Sequence, residues 1–198
     1  MNINLNLSEG KSGDWEVKKF TIDKKAAFNF NLGCLMNRSN RFIEEGEYWK
    51  LLCNGEVVMS NTPAEVDDHL PFIRKATGKV IIAGLGLGMV LAELLKKSDV
   101  TKIVVVEKSK DVIKLISPYY KDERLQIINE DIFNFKLTEH FDFAWFDIWT
   151  YIDADSYEDM KKLHRKFARS VTYKDSWCRK EAKDRYFDQK QFYNDKIY

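Results

Sequence analysis

The sequence predicts an α/β fold, in which helices cover a largely parallel sheet. Between residues 79 and 146, four short apolar runs alternate with segments of helical pattern. Strands that alternate with helices build βαβ units, and the strands of such units are parallel. The chain has 198 residues, of which 44% are hydrophobic. This length suits one domain of about 150 residues with a small appendage.

Composition argues against several other classes of protein. The net charge is +1, so the overall charge indicates no particular partner. Cys34, Cys53 and Cys178 form no CxxC pair, so we expect neither a zinc cluster nor a disulfide framework. The N-terminus lacks a signal-peptide pattern, and the most apolar stretch, residues 80–92, is too short for a membrane span. We therefore expect a cytoplasmic protein with reduced thiols and no membrane contact.

Residues 1–60 are predicted to form a β-rich appendage. The pattern of residues 15–22 is compatible with a strand. Asn54-Gly55 separates two β-prone runs, residues 48–52 and 56–59. This dipeptide predicts a β-hairpin, because a type I′ turn needs positive φ at both central residues.

Residues 61–155 are predicted to form the α/β domain itself. It opens with a helix over residues 63–75, for which Thr62 and Glu65 predict a capping box and Pro63 occupies the first position. Predicted strands and helices then alternate. The strands cover residues 79–83, 102–106, 125–128 and 141–146, and the helices cover 89–97 and 111–116.

Residues 156–198 are predicted to form a helical, basic tail. Apolar residues from 157 to 171 recur at three- and four-residue steps, which indicates an amphipathic helix. Residues 177–193 indicate a second helix, which is charged. We therefore expect the sheet to be truncated after its fourth strand, or its edge to be completed by N-terminal strands or a partner chain, and a homo-oligomer is left open. Residues 161–190 contain eleven Lys or Arg against four Asp or Glu. A solvated helix face is favoured there over a nucleic-acid contact.

A glycine-rich turn joins the first strand of the α/β domain to the next helix. It reads Gly84-Leu85-Gly86-Leu87-Gly88. Glycine lets the backbone turn sharply beside a ligand, and the following helix N-terminus offers free N–H groups. The G-x-G-x-G spacing differs from the G-x-G-x-x-G of dinucleotide sites and from the phosphate loop.

An acidic residue follows each of the other three predicted strands. Glu107 ends the second, Asp131 follows the third, and Asp147 follows the fourth. The carboxyl ends of parallel strands are where open α/β sheets bind ligands. A carboxylate at Glu107 can accept hydrogen bonds from two ribose hydroxyls, and Asp131 can accept from an adenine amino group.

These motifs resemble class I S-adenosylmethionine (SAM)-dependent methyltransferases, whose sheet is Rossmann-like, over residues 79–149. Including the hairpin at 48–60 and Asp68-His69, the chain is similar to the spermidine synthase-like branch, and to short members found in phages and mobile elements. The resemblance implies that SAM binds at the glycine turn and at the two acidic loops. The implied cofactor residues are Gly84, Leu85, Gly86, Gly88, Glu107, Lys108, Asp131 and Ile132.

The resemblance also suggests residues for catalysis and for the acceptor. Asp147 is the candidate base or orienting group for an acceptor attacking the SAM methyl group. Trp149 and Tyr151 are candidate apolar walls beside it. His69 is a weaker candidate, because a helix-surface position is the more common one for such a histidine. No metal is expected.

Three functions stay open at this point. The first is a SAM-dependent methyltransferase with an unknown acceptor. The second is an aminopropyltransferase using decarboxylated SAM, which is disfavoured because Leu87 and Thr150 stand where that branch has aspartates. The third is a SAM- or nucleoside-binding protein, or an assembly partner, without catalysis.

Overall fold

The structure is a computed structural model that describes residues 3–39 and 41–195, with side chains up to residue 192. The described chain contains two sheets. One is antiparallel and comes from the N-terminal part, and the other is parallel and follows it. No helix in these residues is long and apolar enough to cross a membrane.

The N-terminal sheet has four strands in the order β1-β2-β3-β4. They are β1 (Gly10–Ser12), β2 (Trp15–Ile22), β3 (Gly46–Cys53) and β4 (Glu56–Ser60). The predicted hairpin is confirmed: Asn54 and Gly55 have φ values of 51° and 84°, as a type I′ turn requires. Helix α1 (Lys24–Met36), which the sequence analysis did not predict, connects β2 to β3 and begins where the Asp23 side chain accepts from Ala26 N–H.

The parallel sheet has five strands, in the order β7-β6-β5-β8-β9. Counted from β5, this is the order 3-2-1-4-5 of a Rossmann-like sheet, so the predicted fold class is confirmed. In chain order, the elements are α2 (Pro63–Lys75), β5 (Gly78–Ala83), α3 (Met89–Leu95), β6 (Val100–Glu107), α4 (Lys110–Ile116), β7 (Leu125–Asn129), β8 (Phe141–Phe146), α5 (Ala154–Lys166), β9 (Val171–Ser176) and α6 (Arg179–Asp195).

Strand β9 corrects the expected end of the sheet. From the sequence, Val171 is expected to lie in a helix and the edge of the sheet to follow the fourth strand. Helix α5 instead ends at Lys166, and β9 pairs in parallel with β8, with Val171 opposite Phe141 and Ser176 opposite Phe146. As an edge strand, β9 contains charged residues and lacks the continuous apolar run of a fully buried strand, so its pattern was misread as helical.

The start of α2 is a second correction. Thr62 makes no side-chain capping bond there, so the predicted capping box does not form. The Glu65 carboxylate instead accepts from Ser60 N–H and from the Ser60 hydroxyl, both at 2.7 Å. Glu65 thus holds the end of β4 against the start of α2.

The two sheets share one hydrophobic core. Val17, Trp49 and Leu51 of the antiparallel sheet pack in the same buried cluster as Val80 and Ile103 of the parallel sheet. A second cluster lies on the opposite face of the parallel sheet, where α5 packs through Leu163. The division into units 1–60, 61–155 and 156–198 stays a prediction.

Candidate functional site

A cavity of about 510 Å³ lies at the carboxyl ends of β5, β6, β7 and β8. The antiparallel sheet contributes another part of its wall through Trp15, Leu51 and Met59. The volume is within the range of small-molecule sites, and the position is where sheets of this topology bind ligands.

Gly84 is required by the close approach of two strand ends. Its φ is +92°, and a Cβ at this position would lie 2.0 Å from the backbone oxygen of Asp147. The Asp147 N–H in turn donates to the carbonyl of Ala83. A side chain at residue 84 would therefore separate the glycine turn from Asp147, and both line the cavity.

The other two glycines have different neighbours. A Cβ on Gly86 would meet the Met59 sulfur, which accepts a hydrogen bond from the Leu87 N–H at 3.3 Å. A Cβ on Gly88 would meet the ring of Tyr120, whose hydroxyl donates to the Leu87 carbonyl. Gly84 and Gly86 line the cavity, whereas Gly88 begins α3 and packs against Tyr120.

Glu107 is held by two backbone N–H groups. Its Oε2 accepts from Leu85 at 2.8 Å, and its Oε1 accepts from Ser109 at 2.7 Å. A carboxylate has about four acceptor positions, so each oxygen retains capacity for a further donor from a ligand. The role of Leu85 in the site is thus to orient Glu107 through its backbone, while its side chain is buried.

The loop after β7 is held by two lysines. Lys108 Nζ lies 2.9 Å from Asp131 Oδ2, and this pairing lowers the pKa of Asp131. Lys166 of α5 donates to the carbonyls of Ile132 and Phe133, at 3.1 and 2.6 Å. A lysine of the predicted basic tail therefore fixes one wall of the cavity.

Asp147 and His69 meet at the base of the site. Their side chains are 11% and 1% exposed, and His69 Nε2 lies 3.8 Å from Asp147 Oδ2, too far for a hydrogen bond. His69 Nδ1 has no hydrogen-bond partner among the described residues. His69 is thus a buried wall residue and does not lie on the helix surface, which the sequence analysis favoured.

The two groups have opposite pKa shifts. Burial, reinforced by the negative charges of Glu65 and Asp68, raises the pKa of Asp147 to about 8. Burial, with the charge of Arg41, lowers the pKa of His69 to about 4. At neutral pH the carboxyl group of Asp147 is therefore largely protonated and His69 is uncharged. A carboxyl whose pKa lies near 7–8 is suited to exchanging a proton with a ligand.

Asp68 organises a second group of residues behind this pair. Arg41 donates to both of its carboxylate oxygens, at 3.1 and 2.9 Å. Trp177 Nε1 and Cys178 Sγ contact Asp68 Oδ2 at 3.3 and 3.7 Å. These contacts bring Trp177, from the junction of β9 and α6, into the cavity wall.

Of the two aromatic residues predicted to line the acceptor side, one lines the cavity. Trp149 lines the cavity, whereas Tyr151 is 69% exposed and does not. Sequence reasoning assigned no site role to Trp15, Met59, Glu65, Asp159 or Trp177, all of which line it. Their positions depend on contacts between distant segments, for which the sequence contains no local signal.

The cavity is strongly acidic. Its wall contains one lysine, Lys108, which is paired with Asp131. Among the described residues, six acidic side chains line it, of which Asp147 is largely protonated at neutral pH: Glu65, Glu107, Glu130, Asp131, Asp147 and Asp159. Within the described residues, no three His, Cys, Asp or Glu side chains are arranged to hold a metal ion. The charge distribution favours a ligand with positive charge.

The chain matches no protein family model, and no curated protein matches it. Solved structures that it resembles include DhpI in complex with SAH, at 16% identity and a TM-score of 0.42 over 53% of this chain and 50% of that one. Another is the N-methyltransferase NodS of Bradyrhizobium japonicum WM9, at 15% identity and a TM-score of 0.44 over 53% of this chain and 61% of that one. A third is a SAM-dependent methyltransferase of Mesorhizobium loti, at 15% identity and a TM-score of 0.42 over 54% of this chain and 51% of that one.

The chain thus spans about half the length of the solved structures it resembles. Likeness at this level, with TM-scores below 0.5, carries no argument about what the chain does. The geometry and charge of the site are the observations that bear on its function.

Proposed function

We propose that this protein is a SAM-dependent methyltransferase whose acceptor is not yet known. One observation carries the proposal: a glycine turn, a backbone-anchored Glu107 and a buried Asp147 line one cavity at the carboxyl ends of parallel strands. This combination suits an adenosyl ligand on one side and a reacting group on the other.

The residues present fit SAM. Glu107 has acceptor capacity left for ribose hydroxyls, and the loop at Asp131 and Ile132 can contact the adenine ring. Gly84 and Gly86 line the cavity, so the turn places main chain directly beside a bound ligand. SAM would supply a methyl group on a positively charged sulfur, which the acidic wall stabilises.

Other predicted cofactor residues act indirectly in this proposal, through the residues that they position. The Leu85 N–H orients Glu107, Lys108 holds Asp131, and Gly88 packs against Tyr120. Met59 covers the glycine turn, and its flexible side chain can move when a ligand enters.

Asp147 is the proposed base that takes up the proton of the group to be methylated. Its carboxyl is largely protonated at neutral pH, and a cationic ligand beside it would lower its pKa, so that the ionised carboxylate can then take up a proton. Trp149 and Trp177 provide apolar walls on the acceptor side, and His69 packs beneath the carboxyl. Positioning of the acceptor and removal of its proton are what methyl transfer requires of the protein.

A second candidate is aminopropyl transfer from decarboxylated SAM. The acidic wall of the cavity favours it. Leu87 and Thr150 stand where the spermidine synthase-like branch has aspartates, but Glu65, Glu130 and Asp159 supply carboxylates from other positions. In addition, Lys108, which lines the cavity, is already paired with Asp131, so the described lining offers no unpaired lysine or arginine to a ligand carboxylate.

Calorimetric titration with SAM, decarboxylated SAM and S-adenosylhomocysteine tests both candidates. We expect SAM to bind, and Glu107→Gln to weaken it by about 10- to 100-fold, because the ribose loses a charged acceptor. Glu56→Gln, at the exposed first residue of β4, is the matched control and leaves affinity unchanged. Clear preference for decarboxylated SAM would favour the second candidate.

Two outcomes would contradict the proposal. One is the absence of heat and of thermal stabilisation with every adenosyl compound. The other is tight SAM binding without methyl transfer to any acceptor of a broad panel, which would indicate a binding protein. Transfer of a radiolabelled methyl group, lost in Asp147→Asn while SAM affinity persists, would support catalysis.

A further inference from the structure

Two buried nitrogen atoms near the base of the site make no hydrogen bond to the described residues. They are Nδ1 of His69 and Nε1 of Trp145. Both residues are almost fully enclosed, with exposed fractions of 1% and 3%. A buried polar atom without a partner costs free energy, so each such atom in a folded protein requires an explanation. In the part of the chain that the structure describes, no other buried side-chain nitrogen or oxygen is in this condition.

The fold brings the two rings together. His69 lies on α2, and Trp145 lies on β8, opposite Ile82 of β5. Their ring centroids are 5.7 Å apart in an edge-on arrangement. Phe72, which follows His69 by about one turn of α2, packs on the same indole with 4.9 Å between centroids. The indole is therefore in contact with α2 at two points, and this fixes its position relative to His69.

A small cavity adjoins both rings. Its volume is about 10 Å³, and its lining includes His69, Trp145 and Asp147, together with Gly84 and Met59. Four of these five residues also line the main cavity, so the small cavity lies directly behind it. One water molecule needs a volume of about 10–15 Å³ and roughly two to four polar partners. The size of the small cavity thus fits a single water.

The two nitrogen atoms are chemically complementary. An indole N–H only donates, whereas Nδ1 of a neutral imidazole accepts when the ring proton is on Nε2. Burial, with the charge of Arg41, lowers the pKa of His69 to about 4, so at neutral pH its ring has one proton to place. One water between the rings can accept from Trp145 and donate to His69, which satisfies both atoms.

We propose that the small cavity is a water site, at which one internal water joins Trp145 Nε1 to His69 Nδ1 and thereby keeps the His69 proton on Nε2. His69 Nε2 lies 3.8 Å from Asp147 Oδ2, and a shift of about 1 Å brings the two atoms within hydrogen-bond distance when the carboxyl ionises. Trp145 is then a positioning residue, which acts through the water and His69 to provide a donor for the Asp147 carboxylate. Only the use of this donor in methyl transfer rests on the proposed function.

NMR of the full wild-type chain tests the water site without any substitution. We expect a nuclear Overhauser contact between the Trp145 indole N–H and a long-lived water, and a His69 ring with its proton on Nε2. Nitrogen chemical shifts distinguish the two forms of the ring, because only one of its nitrogens is protonated in each. Spectra of Trp145→Phe and His69→Gln assign the signals among the five tryptophans and three histidines.

The titration of Asp147, followed through its carboxyl carbon, tests the positioning role. Trp145→Phe should raise the pKa of Asp147, lowering its acid dissociation constant about tenfold, because the His69 proton is then free to move to Nδ1. His69→Phe should act in the same direction. His69→Gln, whose amide retains a donor near the position of Nε2, should restore most of the wild-type constant. The charged groups that act on Asp147 and His69 are the same in all variants: Glu65, Asp68, Glu107 and Arg41.

A double variant separates positioning from packing. In the His69→Phe background, Trp145→Phe should cause no further change in the titration of Asp147, because the path through Nδ1 is already absent. Trp49→Phe is the matched control. Its buried indole donates to the carbonyl of Leu5 at 3.1 Å, beside the N-terminal sheet, and its removal should leave the titration of Asp147 unchanged.

Three results would overturn the inference. One is a wild-type Trp145 indole N–H without contact to a long-lived water. Another is a wild-type His69 whose proton is on Nδ1. The third is a folded Trp145→Phe variant that changes the titration of Asp147 no more than Trp49→Phe does. Because none of these measurements uses an adenosyl compound, a failure to bind SAM would count against the proposed function alone.

Discussion

Asp147 is a carboxyl whose surroundings oppose its ionisation. Its side chain is nearly buried, and the negative charges of Glu65, Asp68 and Glu107 lie close enough to raise its pKa further. Cationic side chains do not compensate locally, since Arg41 pairs with Asp68. Such a group weakens the fold when it is charged, and this cost is common where a side chain is retained for chemistry.

Asp147→Asn should therefore change how stability depends on pH. In the folded protein Asp147 retains its proton up to about pH 8, whereas in the unfolded chain it loses it near 3.8. Between these values the folded state binds more protons, so the free energy of unfolding falls as pH rises. Asparagine removes this loss, and we expect the variant to be more stable than the wild type at pH 9 by roughly 1–3 kcal/mol.

Urea unfolding at pH 5 and pH 9 measures this effect. The free energy of unfolding of Asp147→Asn should differ little from that of the wild type at pH 5 and exceed it clearly at pH 9. Asp67→Asn, at an exposed position of α2, should match the wild type at both pH values. A variant that is equally or less stable at pH 9 would show that Asp147 ionises without cost.

At the level of elements, the β5–α3 turn brings β5 and β8 into register at their ends. Gly84 has a positive φ, and the backbone of Asp147 occupies the space that a side chain at residue 84 would need. The same turn donates the Leu85 N–H to Glu107 at the end of β6. Three neighbouring strand ends are thus fixed relative to one another by one turn, which is how the site obtains its geometry.

Gly84→Ala should destabilise the fold by about 2–4 kcal/mol, because it combines a positive φ with a clash against backbone. Chemical denaturation measures this loss, and any adenosyl-ligand binding should fall with it. Gly33→Ala is the matched control: its Cβ would meet nothing within 4 Å and its helical position favours alanine by up to about 1 kcal/mol. Equal stability of the two variants would contradict the close approach described for Gly84.

For the whole molecule, Asp68 links parts of the chain that lie far apart in sequence. Arg41 comes from the segment between α1 and β3, Asp68 from α2, and Trp177 from the junction of β9 and α6. The Asp68 contacts therefore hold the N-terminal appendage and the C-terminal region to the same helix. Because Trp177 and Glu65 both line the cavity, the site depends on this arrangement as much as on the parallel sheet.

Asp68→Ala should loosen the C-terminal region. Because Arg41 is substantially exposed, its ion pair is partly screened, and we expect a loss of only about 1–2 kcal/mol in the free energy of unfolding. Trypsin should then cleave after Arg179 or Lys180 several times faster, as mass spectrometry of the fragments would show. Asp67→Ala, at the exposed adjacent position, should leave both quantities unchanged; unaltered cleavage in Asp68→Ala would contradict the proposed link.

The sequence by itself determined the features that depend on local pattern. The hairpin turn at Asn54-Gly55 forms as predicted, and helix α2 over residues 63–75 and strand β8 over residues 141–146 have the predicted bounds. Alternating strands and helices were also enough to predict a parallel sheet covered by helices. Turn chemistry and hydrophobic periodicity involve residues close together in the chain, so they can be read without knowing the fold.

Only the tertiary structure decided which residues share the site. It added β9, whose charged edge-strand pattern resembles a helix, and it placed Trp177, Met59 and Glu65 in the cavity wall. It also buried His69 beside Asp147 and turned Gly88 towards Tyr120. Each of these depends on packing between segments tens of residues apart. Such contacts leave no spacing in the sequence, because their geometry exists only once the core has formed.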